Sequence, residues 1–142
     1  MIALDTNILV YAHRPRAAEH ARAKEVLERV ANGPAAWALP WPVCHEFVGV
    51  MSRTREQATP LGPALAAIER LIGTPGCRLL SETAGHWPRL TSLALAGDAR
   101  GPRIHDARIA AICLSNGVDV LWSADRDFGR FPEMRVVNPL VG

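Results

Sequence analysis

Four acidic residues stand at positions where chemistry is expected. Asp5 directly follows the first apolar run of the chain, and Asp125 follows a late one. Glu46 and Asp106 lie in segments of helical periodicity, beside or among the apolar positions. Each acid alone has a simpler explanation, because Asp is a favoured helix N-cap and an acid near a helix N-terminus is stabilised there. The four together favour a common site.

Glu46 is the most informative of these acids. Helical spacing places Val43, Phe47 and Val50 on the side that faces the core, and Glu46 lies about 60° from Val43. A carboxylate at the border of a core is costly unless it is paired, hydrogen-bonded or bound to a metal. We therefore expect a partner or a cation to hold Glu46.

Acids that converge on one point favour a divalent metal. Carboxylates brought close together repel, and without a cation some of them would take up protons. Oxygen ligands without a Cys or His pattern suit Mg²⁺ or Mn²⁺. Such an ion activates water and stabilises a phosphoryl oxygen, which is the chemistry of phosphodiester hydrolysis. The pattern leaves open whether one or two ions bind, and whether Asp127 serves in place of Asp125 or caps the following turn.

The elements that would position these acids alternate between short apolar runs and longer segments of helical periodicity. Strands are predicted at 2–4, 36–39, 77–80, 118–122 and 134–137, and helices at 19–31, 41–51, 63–72, 86–95 and 103–115. Short apolar strands between helices indicate an α/β fold whose parallel sheet is covered on both faces. Ligands bind such sheets beyond the carboxyl ends of the strands, where these acids lie.

Length and composition narrow the class of protein. A chain of 142 residues with 49% hydrophobic residues predicts a single globular domain over 1–142. No apolar run approaches the ~18–20 residues of a membrane span, and Asp5 interrupts the start where a secretion signal would need apolar residues. Three widely spaced cysteines form no zinc or disulfide pattern. We therefore expect a cytoplasmic protein.

The chemistry-bearing motifs, in their order, resemble one family: the PIN domain, in particular the VapC-type ribonuclease toxins of bacterial toxin–antitoxin pairs. The resemblance covers nearly the whole chain and rests on Asp5-Thr6-Asn7, Glu46, His105-Asp106-Ala107, the run from Trp122 to Phe128, and Asn138-Pro139. Each motif alone is weak, whereas the ordered set in so short a chain is specific.

The resemblance implies a three-layer α/β/α domain with a short central parallel sheet, usually a homodimer. It implies an RNA-cutting site with Mg²⁺ or Mn²⁺ held by Asp5, Glu46, Asp106 and Asp125. Thr6, Asn7 and the hydroxyl of Ser123 would support that site. It also implies a VapB-type antitoxin, whose C-terminal segment lies over the acids and often places an arginine among them.

Arginines near the last two acids are candidates for contact with RNA. The net charge is only +2, but a metal on the acids would leave the remaining surface more positive, and guanidinium groups suit phosphate oxygens. The candidates are Arg100, Arg103, Arg108, Arg126 and Arg130. The alternative for each is solvated surface charge.

Two other functions compete with the nuclease. A Mg²⁺-dependent phosphatase usually has a second aspartate two residues after its nucleophile, where this chain has Asn7. A non-catalytic module could keep the acids to hold a partner's basic segment. No histidine is placed convincingly as a general base, since His105 should face about 100° away from Asp106. The RNA, its cleavage site, the antitoxin and the dimer surface stay open, with the helices over 43–51 and 63–72 as candidates for the last.

Overall fold

A computed structural model of the chain describes residues 1–53 and 56–142. Within them two helices follow each of the first three strands, and a short 3₁₀ helix, Arg126–Arg130, follows the fourth strand. The strands are β1 (Ile2–Leu4), β2 (Trp37–Pro40), β3 (Cys77–Leu80), β4 (Val120–Trp122) and β5 (Val136–Val137). The helices are α1 (Thr6–Ala12), α2 (His20–Asn32), α3 (Trp41–Arg53), α4 (Leu61–Ile72), α5 (His86–Gly97) and α6 (Arg103–Ser115).

The sheet is parallel throughout, with the strand order β3-β2-β1-β4-β5. β1 therefore lies at the centre, and the chain leaves it between the ends of β2 and β4. All four residues of β2 are buried, which requires cover on both faces because successive side chains point to opposite sides. The prediction of an α/β/α fold with a short parallel sheet is confirmed.

Helix α6 is the most deeply embedded helix. Ala107 and every residue from Ile109 to Cys113 are buried, so this helix is apolar around most of its circumference after its first turn. α6 packs against α5, and α1 packs against α2 and α3. Because α6 is held so firmly, the polar residues of its first turn are fixed at the carboxyl edge of the sheet.

Helix α1 is not predicted from the sequence, and the other predicted and observed elements differ mainly at their ends. The strand predicted over 134–137 is only Val136–Val137, and the one predicted over 118–122 starts at Val120. β4 is shorter because it pairs with β1 only along the three residues of that strand, and β5 is shorter because only Val136 and Val137 pair with β4. None of the helices in the described part of the chain combines the length and apolarity that a membrane span needs.

Candidate active site

Asp5 joins the end of β1 to the start of α1. Its backbone is extended, and its carboxylate caps α1 by accepting a hydrogen bond of 2.8 Å from the Thr6 backbone N–H. Its own N–H donates to the Trp122 carbonyl of β4 at 2.9 Å. The residue is 5% exposed. The expected N-cap is therefore present, and the same carboxylate also faces the site.

A hydrogen-bonded network ties the exit of β1 to the exit of β4. The Ser123 hydroxyl donates to Asp5 Oδ2 at 2.6 Å, and the Asn7 amide donates to the same oxygen at 3.3 Å. Asn7 Oδ1 accepts from the Ala124 N–H at 3.0 Å, and Ser123 Oγ accepts from the Asp125 N–H at 3.0 Å. The network orients Asp5 and fixes the backbone that carries Asp125.

Burial gives Asp5 an unusual acidity. Removal from water raises the pKa of Asp5 from 3.8 to about 6, against the lowering effect of the hydrogen bonds from Ser123 and the Thr6 N–H. The negative charges of Glu46 and Asp106 contribute to the same rise. The pKa of Asp106 is also raised, chiefly by burial. The site therefore holds acids whose ionised forms need a compensating cation.

The four acids meet around one cavity of about 210 Å³, which we call the acidic cavity. Each comes from a different segment: Asp5 from the end of β1, Glu46 from α3, Asp106 from α6 and Asp125 from the loop after β4. The other lining residues are Thr6, Asn7, Val10, Tyr11 and Val50. The structure thus brings together residues up to 120 positions apart in the chain. The spacing of the motifs did not predict that Val10, Tyr11 and Val50 line this cavity.

Glu46 differs from its expectation. It is exposed, whereas Val43 and Phe47 on the same helix are buried. The expectation that Glu46 lies at the border of the core and loses its hydration there is therefore wrong. The stripe of α3 that covers the core ends at the acidic cavity, and a side chain about 60° from that stripe opens into the cavity and water.

The donors in the acidic cavity fit a hard cation by their chemistry. They are oxygens, and the buried Thr6 hydroxyl beside them has no hydrogen-bond partner among the described residues. Over 1–53 and 56–142, however, no three His, Cys, Asp or Glu side chains are already arranged to coordinate one metal ion. Closing a ligand set on a cation therefore needs side-chain movement, which the exposed Glu46 permits.

One arginine already contacts the acids. Nη1 of Arg103 lies 3.1 Å from Asp106 Oδ2 and 3.6 Å from Asp125 Oδ2, and its Nη2 forms an ion pair with Asp127. Arg103 opens α6, one helical turn before Asp106. The structure therefore places this predicted RNA contact against the acidic side chains.

Comparison with known proteins identifies the architecture. The model of the PIN domain family matches residues 2–134. The chain belongs to the PIN-domain family. A VapC ribonuclease of Mycobacterium bovis is 39% identical over 144 residues, which is 100% of this chain and 97% of that protein. Ribonuclease VapC48 of Mycobacterium tuberculosis is 32% identical over 140 residues, 97% of either chain. Within the family the chain is therefore of the VapC type.

Solved structures share the fold of this PIN domain. VapBC2 from Rickettsia felis, bound to a DNA fragment from its promoter, has a TM-score of 0.71 at 19% identity and covers 97% of this chain and 98% of its own. VapC20 of Mycobacterium tuberculosis, described as a toxin that cleaves the sarcin–ricin loop, has a TM-score of 0.69 at 21% identity, with 91% and 93% coverage.

The remaining predicted arginines of this PIN domain fall into two groups. Arg100 Nε donates to Asp98 Oδ1 at 2.7 Å, and Arg130 Nη1 donates to the carbonyls of Gly97 and Asp98 at 3.0 and 3.1 Å. These two stabilise the turn after α5. Arg126 differs from these two, because it is exposed beside Asp125.

Arg108 belongs to a second cavity, of about 250 Å³, that shares Glu46 with the first. Its Nε donates to Glu82 at 2.5 Å. We call this second space the histidine cavity, because His45 and His105 line it. From the sequence, His45 is expected at the surface or in a local hydrogen bond, and His105 is expected to face about 100° away from Asp106; both are exposed in the structure. Their positions next to Glu46 and Asp106 in the chain were the available signal, since neighbours of site residues on a helix line adjoining space.

Proposed function

We propose that this VapC-type protein is the toxin of a toxin–antitoxin pair and a Mg²⁺- or Mn²⁺-dependent endoribonuclease over the single domain 1–142. The observation that carries the proposal is that four carboxylates, from four segments, line one cavity at the carboxyl edge of the sheet. The names of its relatives as ribonucleases support RNA as the substrate. A single continuous core supports one domain.

In this proposal Asp5, Glu46, Asp106 and Asp125 hold the cation. When bound, it supplies Lewis-acid activation of water and charge compensation at a phosphoryl oxygen. Asp5 is the fixed ligand, because Ser123 and the Thr6 N–H orient its oxygens and favour its ionised form at neutral pH. Its burial also excludes water from one side of the site.

The histidine cavity is the proposed place for the neighbouring phosphate of the RNA. Arg108, His45 and His105 supply donors there, and Glu46 forms the wall shared with the acidic cavity. An RNA strand that places one phosphate at the acids would thus place the next beside a guanidinium and two imidazoles. Of the five predicted arginines, Arg108 and Arg126 are the proposed direct RNA contacts whose side chains are not held on the site acids, whereas Arg103 lies against Asp106 and Asp125.

A VapB-type antitoxin and a second copy of the chain are the proposed partners. Solved structures of the same fold include VapBC complexes, such as the one from Rickettsia felis. For the homodimer, the supporting feature is α4, where Leu61 and Leu65 are 58% and 51% exposed. Large apolar side chains left in water on one helix are typical of a surface that another chain covers.

Incubation of the purified protein with end-labelled RNA tests the nuclease proposal. We expect cleavage with Mn²⁺ and none with EDTA, and loss of cleavage in Asp5→Asn and Asp106→Asn. Asp119→Asn is the matched control, because this exposed acid pairs with the N-terminal amine, outside the acidic cavity. Cleavage that survives in both site variants, or in EDTA, would refute the proposal.

A further inference from the structure

Arg103 connects the acids of the site to each other. Its guanidinium contacts Asp106, Asp125 and Asp127 at once, although these acids come from α6, from the loop after β4 and from the 3₁₀ helix that follows this loop. Asp106 and Asp125 line the acidic cavity. One positive group of this chain therefore compensates the charge of two of the four proposed ligands.

The same oxygens cannot serve Arg103 and a divalent cation equally well. Asp106 Oδ2 and Asp125 Oδ2 are the atoms that Nη1 of Arg103 approaches, and a dication drawn to them would repel the guanidinium. Arg103 is free to leave, because its side chain is 40% exposed and begins at the first residue of α6. Its release requires no change in the core.

Asp127 has a different part in this arrangement. It does not line the acidic cavity, and it lies between two arginines, with Arg103 in direct ion pairing and Arg130 Nη2 3.9 Å from its Oδ1. Arg130 is itself fixed by the carbonyls of Gly97 and Asp98. Asp127 is thus placed to hold Arg103 near the cavity rather than to bind the cation.

We propose that Arg103 is a built-in counterion of the site carboxylates, and that its side chain leaves them and pairs with an RNA phosphate when a divalent cation binds. This inference rests on the proposed function of the acidic cavity. The cation takes over the charge of Asp106 and Asp125, and the released guanidinium offers its planar donors to a phosphate. Metal binding and RNA binding are then coupled through one side chain, and the coupling is reciprocal.

Binding measurements without turnover test the exchange. Mn²⁺ affinity is measured by electron paramagnetic resonance for the wild type, Arg103→Gln and the control Arg100→Gln, which removes the same charge from an 85% exposed side chain paired with Asp98. We expect Arg103→Gln to bind Mn²⁺ at least about threefold more tightly, because the competing cation is gone. The control should stay near the wild type.

The second half of the test uses RNA. With Ca²⁺ in place of Mn²⁺, fluorescence anisotropy should show that Arg103→Gln binds a labelled RNA at least about threefold more weakly than Arg100→Gln. The gain in RNA affinity on adding Ca²⁺ should also be larger in the wild type than in Arg103→Gln. A residue that only stabilised the fold would not tighten metal binding while weakening RNA binding.

Each contrary result is decisive. Unchanged or weaker Mn²⁺ binding in Arg103→Gln would overturn the counterion role and make Arg103 an orienting residue for the acids. Tighter metal binding with unchanged RNA binding would overturn the exchange. A tenfold loss of Mn²⁺ affinity in Asp127→Asn would make Asp127 a ligand and overturn its role as an anchor. If the nuclease proposal alone fails, the wild-type protein will bind Mn²⁺ without cleaving RNA, and this result is distinguishable from the results above.

Discussion

Replacing Ser123 by alanine should weaken metal binding through the acidity of Asp5. Ser123 is 2% exposed, and its hydroxyl donates to Asp5 Oδ2 at 2.6 Å. Loss of a buried hydrogen bond to a charged group costs about 1.5–3 kcal/mol, which makes removal of the Asp5 proton about 10- to 100-fold less favourable. The pKa of Asp5 is already raised to about 6, so the variant carries this proton at pH 7 in half of the molecules or more.

A cation must displace that proton, and the expected loss follows from this competition. Mn²⁺ affinity at pH 7 should fall by about two- to tenfold in Ser123→Ala. At pH 8.5 the proton has largely left in both proteins, and the affinities should agree within about twofold. Electron paramagnetic resonance titrations under argon at pH 6.5, 7.0, 7.5 and 8.5 measure this. Ser123→Thr retains the hydroxyl and should follow the wild type.

Two results would refute this reasoning. Wild-type affinity of Ser123→Ala at pH 7 would show that the hydroxyl does not control the ionisation of Asp5. A deficit of the same size at pH 8.5 would show that Ser123 acts by positioning the ligand. Ser81→Ala, a change at an exposed serine, controls for the loss of a hydroxyl elsewhere.

Three further predictions address stability and assembly. In EDTA, Asp5→Asn should raise the free energy of unfolding at pH 7.5 by up to about 3 kcal/mol, since the pKa of Asp5 is about 6 in the folded protein against 3.8 in the unfolded chain. The protonated acid stabilises the fold fully below the unfolded pKa, and this stabilisation is lost as the pH rises through the folded pKa. The difference between the variant and the wild type should therefore vanish near pH 4 in urea titrations. Gly97→Ala should lower stability by about 1–3 kcal/mol in thermal melts, because its new Cβ would meet a backbone carbonyl at 2.8 Å, whereas Gly62→Ala, with open space around it, should not. Leu65→Arg should convert the proposed homodimer to a monomer by light scattering, and a dimer that persists would exclude this face of α4.

The fold could be predicted from sequence to the extent that local patterns decide it. Apolar runs bounded by turn residues gave the strands in their order, and a parallel sheet then places their ends at one edge. That rule brings Asp5 and Asp125 together without any knowledge of side chains. The lengths of β4 and β5 could not be predicted, because a strand extends only as far as its neighbour pairs with it.

The fine structure of the site was less accessible to sequence reasoning. The spacing of Arg103 and Asp106, three residues apart on a helix, allows an ion pair. The contacts of Arg103 with Asp125 and Asp127 depend on how α6 lies against the loop after β4. The exposure of Glu46 likewise depends on where the core stops beside α3. Helical geometry gives the direction of a side chain, whereas its surroundings come from tertiary packing.

The acids of the site differ in mobility: Asp5 is held rigidly, whereas Glu46 can move. Asp5 is buried and held by donors from both neighbouring segments, so its oxygens lose little freedom when they bind. The raised pKa of Asp5 is the consequence, and it keeps the proton equilibrium of the ligand close to neutral pH. Glu46 is exposed, so its side chain can move to complete a ligand set. Burial thus raises the pKa of the two acids whose positions the fold fixes, Asp5 and Asp106.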